Sequence, residues 1–361
     1  MITRLVRNAL RQGTRPSGHA HRKQRGAALL MAMIIVTLVA TLAASMVWQQ
    51  WRAVRVEGAE RARSQSAWIL AGALDWARLI LKEDARNPQM DHLGEPWAVP
   101  LAEARLSTFL AADKAETDDA PDAFLSGAIT DAQGRYNLFN LVAQGKIDEA
   151  QLEAFTHLCE AVNAPSDAAG RIAIGLLKAQ AVERSKAPAA PAPAASGAAQ
   201  AGSAAEAASA AAAAQPLDPS APLMPRSVAQ LGFLGIDEEA RRILAPYVVL
   251  LPKATPINVN TASREVLLTA IKGLDLATAE RLVQLRQRTP FRDLPQVARE
   301  VPALVPLDPN RISVSSNFFE VRGRLRLADR VLEQISLIER RGTTTVVIRR
   351  ERVSRQDSGT S

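Results

Sequence analysis

The sequence predicts an α+β chain: a long N-terminal helix, a mostly helical middle and an antiparallel β-sheet near the C-terminus. Three observations predict it. Residues 27–47 carry no charge, and the pattern then continues without a proline until Pro88. Near the C-terminus Phe319, Val321, Leu325 and Leu327 alternate with Glu320, Arg322, Arg324 and Arg326, the period of a strand with one wet face. Between these ends the apolar residues recur mainly at helical spacing.

Charge sorts the functional classes. The 361 residues carry a formal net charge of +7. Arg4, Arg7, Arg11, Arg15, Arg22, Lys23 and Arg25 stand before Ala27 with no acid among them, so the rest holds 37 basic against 37 acidic residues. The basic character belongs to the leader, and the neutral body argues against nucleic-acid binding. The single cysteine, Cys159, allows no intrachain disulfide. Its helical spacing from Phe155 marks it as a small core residue. His92 and His157 have no ligand-spaced partner, and no HExxH, GxSxG or P-loop pattern occurs.

The N-terminal helix is predicted to enter a membrane. At about 1.5 Å per residue the uncharged run spans roughly 30 Å, the thickness of bilayer hydrocarbon. It ends at Trp48 and Trp51, followed by Arg52 and Arg55, an aromatic belt at one interface. Basic residues before the run place the N-terminus in the cytoplasm. A cleaved secretory signal would have a shorter apolar region, with "TLAAS" at Thr41–Ser45 as its site. The run instead passes that site and continues as an amphipathic stem, giving one helix from about Ala27 to about Ala85.

Proline residues Pro88, Pro96 and Pro100 end the helix. A short helix is expected at about Ala102–Ala111, then an acidic loop with Asp113, Glu116, Asp118, Asp119 and Asp122. Strands separated by a turn are expected in "SGAITDAQGRYNLFNL", with a first strand around Gly127–Leu138. Helix follows from Asp148 to about Val182. Residues 185–222 are almost wholly Ala, Pro, Ser and Gly, too little apolar area to offset ordering entropy. Helical patterns resume at "SVAQLGFLGIDEEARRIL", and three or four antiparallel strands close the chain before a disordered tail, 354–361.

A basic leader ending in "RG", an apolar span at the next residue and an unbroken amphipathic extension resemble the type IV pilin and pseudopilin class. The combination with "SAWILAGALDWA", "ITDAQGRYNLFNL", "INVNTAS" and "SNFFEV" resembles the large minor pseudopilin of type II secretion, general secretion pathway protein K. The resemblance implies a pilin-like transmembrane helix packed on the C-terminal antiparallel sheet, with a large all-α domain inserted between strands. The implied boundaries are a cleaved leader (1–26), transmembrane and stem helix (27–88), first strands (89–139), inserted helical domain (140–306) and C-terminal strands (307–353). The inserted domain would contain the low-complexity loop 185–222 and a helix-hairpin-helix-like unit at 256–298.

The resemblance further implies cleavage by a prepilin peptidase between Gly26 and Ala27, with N-methylation of Ala27. The fifth mature residue is Met31, where most pilins carry glutamate. A lone carboxylate in the membrane is costly without a partner, so its absence suits a subunit with no neighbour above it, at a filament tip. Implied partners are other minor pseudopilins in a tip complex, the inner-membrane assembly platform and the outer-membrane secretin. The implied location is the inner membrane, single-pass, with the bulk of the chain periplasmic. The resemblance also implies calcium in some members without pointing to particular ligands, and the acidic loop reads as a solvated one. Trp68 and Trp76 on the stem are expected to pack against the sheet.

One motif points elsewhere. Ile257–Val297 resembles the helix-hairpin-helix of DNA-uptake and DNA-repair proteins, in which hairpin N–H groups bind a phosphate. Here the hairpin is Lys272-Gly273-Leu274-Asp275, and Asp275 puts a carboxylate where the phosphate would lie. We read the unit as a packing element. The alternatives are a competence-type membrane DNA receptor and the tip minor pilin of a type IV pilus.

Overall fold

The computed structural model describes residues 24–86, 90–106, 123–186, 222–304, 306–327 and 330–356. The leader before Gln24, the acidic residues 113–122 and nearly all of the low-complexity segment lie outside the described residues. The chain divides into two units, residues 1–67 and 68–361.

In the first unit, helix α1 (Gln24–Asp84) begins at Gln24 and carries the uncharged run. Its hydroxyls at Thr37, Thr41 and Ser45 donate to helix carbonyls three or four residues back, so they add no unsatisfied polar group to the apolar surface.

In the second unit, the C-terminal turns of α1 bury Leu70, Leu74, Ala77 and Leu81. Their spacing of four, three and four residues makes one stripe. It packs on a five-stranded sheet of order β1-β2-β3-β4-β5, comprising β1 (Leu101–Arg105), β2 (Ala123–Asp131), β3 (Phe318–Leu327), β4 (Arg330–Arg341) and β5 (Thr344–Gln356). All neighbouring strands are antiparallel. The period-two alternation is realised: Phe319, Val321 and Leu325 are buried under α1, and the Trp97 edge meets the Phe319 ring at 5.2 Å.

The chain leaves the sheet after Asp131 and returns at Phe318. Between these points lie α2 (Glu149–Ala161), α3 (Ala168–Lys186), α4 (Glu238–Leu244), α5 (Arg264–Ala270), α6 (Leu276–Arg288) and α7 (Leu294–Glu300). They share one large apolar core, in which Tyr136 stacks on Phe155 at 5.2 Å. Cys159 is buried there as expected, and burial pushes its thiol up to about 12. A second, smaller core joins this helical region to the sheet face opposite α1, through Ala132, Val249, Leu251, Phe318 and Leu337.

Four local expectations need correction. The expected helix at Ala102–Ala111 is replaced at its start by β1, because Leu101, Ala104 and Arg105 pair with Gly127, Leu125 and Phe124. Pairing outweighs the helix preference of "LAEAR". The strand expected at Gly127–Leu138 runs from Ala123 to Asp131, and Ala132–Gly134 form a 3-10 turn capped by Asp131. The chain closes with three antiparallel strands as expected, but β5 extends to Gln356, into the expected tail. Trp68 is 80% exposed, on the side of α1 away from its buried stripe, whereas Trp76 is 53% exposed and only lines the groove between α1 and the sheet.

Candidate functional site

The N-terminal part of α1 is the first candidate. It is long and apolar enough to cross a membrane, with a mean hydropathy of 2.5 over its most apolar window. Leu29, Met31, Ile34, Val36, Leu38, Val39 and Leu42 are each more than half exposed. Leu, Met, Ile and Val facing outward all round a helix mark an element whose surroundings are themselves apolar. At its end the Arg52 guanidinium lies 5.7 Å from the Trp48 ring, and that of Arg55 lies 4.5 Å from Trp51. Gly26, Ala27 and Met31 all fall within this helix.

The second candidate is a buried polar junction that gathers three separate sequence motifs. Asp131, in "ITDAQG", ends β2 and accepts four hydrogen bonds. They come from the Gln133 N–H (2.7 Å), the Asn258 amide (2.9 Å), and the Thr261 and Ser316 hydroxyls (both 2.6 Å). Asn258 and Thr261 belong to "INVNTAS", and Ser316 to "SNFFEV". Gln133 completes the link, accepting from the Asn317 N–H at 2.6 Å and donating to the Pro256 carbonyl at 3.1 Å. Gly134 follows from the closeness: a Cβ there would stand 2.9 Å from the Thr261 hydroxyl and 3.3 Å from its backbone.

Arg340 on β4 anchors the same junction. Its Nη2 lies 2.7 Å from both Asp91 carboxylate oxygens and 2.6 Å from the Ser316 carbonyl, while Nη1 bonds Asp84 at the end of α1. The guanidinium also stands 4.9 Å from the Phe319 ring. Asp91 in turn accepts from the Ser316 N–H at 2.6 Å. One arginine therefore ties the end of α1, the loop after it and the return into β3. Carboxylates outnumber it. Asp84 is pushed up to about 6, first by burial and then by the charges of Glu95 and Asp91, against the pull of Arg340. Burial also raises Glu95 and Asp131.

Asp84, Asp91 and Glu95 have ligand atoms within 4.8 Å of one another, which raises the question of calcium. The donor set does not fit. Arg340 already engages Asp84 and Asp91, and Glu95 accepts from the His92 N–H and the Trp97 indole. A cation there would face a guanidinium. The acidic residues 113–122 lie outside the described residues.

The hairpin unit engages most of its polar groups with protein partners, the hairpin Lys272 reaching Glu153 of α2 at 3.4 Å. Gly273 takes φ +81°, the left-handed turn that glycine allows. Asp275 caps α6, accepting from the Thr278 N–H at 2.8 Å and its hydroxyl at 3.0 Å, and these bonds hold its carboxyl below the usual range. Its carboxylate thus occupies the helix N-terminus that would receive a phosphate. Arg281 bonds the Glu300 carbonyl, and buried Arg286, lowered to about 10 by desolvation, bonds that of Val259. Arg264 pairs with Glu265 and Glu280.

Sequence reasoning singled out Gly26, Ala27 and Met31, which lie in α1, but it missed the roles of Arg340, Asp91 and Asp84. Arg340 reads as one more charge in an alternating strand, and its partners are 249 and 256 residues away.

Comparison with known proteins agrees with this architecture. Family models described as type II secretion system, protein K match residues 134–253 and 257–315. The chain is 27% identical to type II secretion system protein K of Pseudomonas aeruginosa, covering 88% of this chain and 90% of that one. It is 29% identical to the Pectobacterium carotovorum protein of the same name, over 91% and 96%. Its fold matches a chain in the crystal structure of the GspK-GspI-GspJ complex from the enterotoxigenic Escherichia coli type 2 secretion system. There the TM-score is 0.53 at 20% identity, covering 82% of this chain and 98% of that one. Family models, near full-length relatives and the fold neighbour point the same way, and over most of its length the chain is similar to the type II secretion system protein K family.

Proposed function

We propose that this chain is a minor pseudopilin that caps the tip of a type II secretion pseudopilus and primes its assembly for export of folded proteins. The carrying observation is the apolar surface of α1 between Leu29 and Val47, exposed on every side. That surface suits a helix held in the inner membrane and then bundled with the helices of other minor pseudopilins. The relative of similar fold was solved as a complex with GspI and GspJ, and we assign equivalent partners to this chain. The helical region between β2 and β3 supplies bulk at one end of the sheet, which suits a cap.

In this reading the leader is cut between Gly26 and Ala27, Ala27 is methylated, and the bulk of the chain lies in the periplasm. The role is mechanical and needs no catalytic group. Met31 at the fifth mature position leaves no carboxylate to pair with a subunit above. Deleting the gene should abolish export of a folded secreted enzyme, and the full chain should restore it while co-purifying with two other minor pseudopilins. Unimpaired export without the gene would overturn the proposal.

A further inference from the structure

Strand β5 closes the sheet and pairs only with β4. It is 13 residues long, against a usual strand of about 5–6, and its outer edge has no strand partner among the described residues. An open edge of that length is a template for another chain, and proteins generally shorten, bend or charge such edges.

The side chains along β5 divide it in two. Val346 and Ile348 are 38% and 37% exposed, and a register shift opposite Leu337 and Ile338 leaves Ile348 without a Cα partner on β4. Beyond them the strand becomes basic. Arg349 pairs with Glu351 at 3.0 Å. Arg350 and Arg352 are exposed and have no carboxylate partner among the described residues; Arg352 donates only to the Gln334 amide oxygen, at 3.2 Å. Arg350 and Arg352 stand opposite Ser336 and Gln334, two residues apart on one face.

We propose that β5 is a docking strand that takes an extended acidic segment of another protein as a sixth strand of the sheet. Backbone hydrogen bonds supply the pairing, apolar side chains of the segment lie beside Val346 and Ile348, and carboxylates spaced two residues apart face Arg350 and Arg352. The charge complementarity selects an acidic occupant. The inference does not rest on the pseudopilin reading.

The test uses the full chain in detergent and a fluorescein-labelled nine-residue peptide, alternating Val and Thr in one half and Glu and Thr in the other. The expected result is saturable binding that weakens at least tenfold in R350E/R352E and falls with added salt. A peptide N-methylated at every second residue should not bind the wild-type chain, which separates strand pairing from charge attraction without any variant. No saturable binding to the wild type, or equal binding of the N-methylated peptide, would overturn the proposal and leave the arginines as protection of an open edge.

Discussion

Two stretches of the same helix obey different rules. From Leu29 to Val47, α1 exposes every large apolar side chain, whereas from Leu70 to Leu81 it exposes one side and buries a stripe under 5% exposed. Both stretches are rich in Leu, Ala and Ile, so helix propensity does not separate them. The difference lies in what faces them. The second stretch has Phe319, Val321, Leu325 and Ile338 of the sheet against it, and its outer side carries Asp75 and Lys82. The first has apolar groups all round and requires an apolar solvent. One helix therefore provides both an anchor and a wall of the folded body.

The sharpest break in that comparison comes where the second stretch ends. Replacing Arg340 with Met removes the cation from buried Asp91 and partly buried Asp84, and loss of one partner of a buried pair costs about 3–5 kcal/mol. Denaturant unfolding of the full chain in detergent measures it. Next is Leu81→Ala, which opens a hole beneath the fully buried stripe and costs about 2–4 kcal/mol, while Leu38→Ala leaves the unfolding midpoint unchanged.

A smaller effect follows from pH. A folded carboxyl raised to about 6 at Asp84 keeps a proton that the unfolded chain releases near an ordinary Asp value of about 4. Stability should therefore fall as pH rises from about 4 through about 6, with Glu95 and Asp131 acting in the same direction. Asp84→Asn should flatten the melting temperature across that window. The smallest effect is expected at Glu57 and Arg61, a 2.9 Å pair with both side chains 71% exposed. Arg61→Ala should cost no more than about 0.5 kcal/mol.

The sequence made legible whatever repeats locally. The uncharged run, the alternation around Phe319–Leu327 and the helices of the middle region all follow from periodicity. Aromatic content misled at Trp68: its size suggested burial, but it stands on the opposite side of α1 from the Leu70, Leu74, Ala77 and Leu81 stripe. "LAEAR" reads as helix because nothing within it reveals that Gly127 and Leu125 stand opposite. The junction was least legible. Its three motifs were visible as separate stretches, yet Asp131, Asn258 and Ser316 meet only because the chain leaves the sheet and comes back to it. The signal available was an unusual density of Asn, Thr and Ser in "INVNTAS" and "SSN", residues whose short polar side chains suit buried backbone and carboxylate partners.

In the proposed reading the apolar stretch is kept as a membrane helix after the basic leader is removed. Intact-mass and N-terminal analysis of the protein recovered from membranes, with and without the prepilin peptidase, tests it most directly. The predicted result is a peptidase-dependent chain that starts at a mono-methylated Ala27 and stays with the membrane. An uncleaved chain, or a soluble one starting near Ala44, would contradict it.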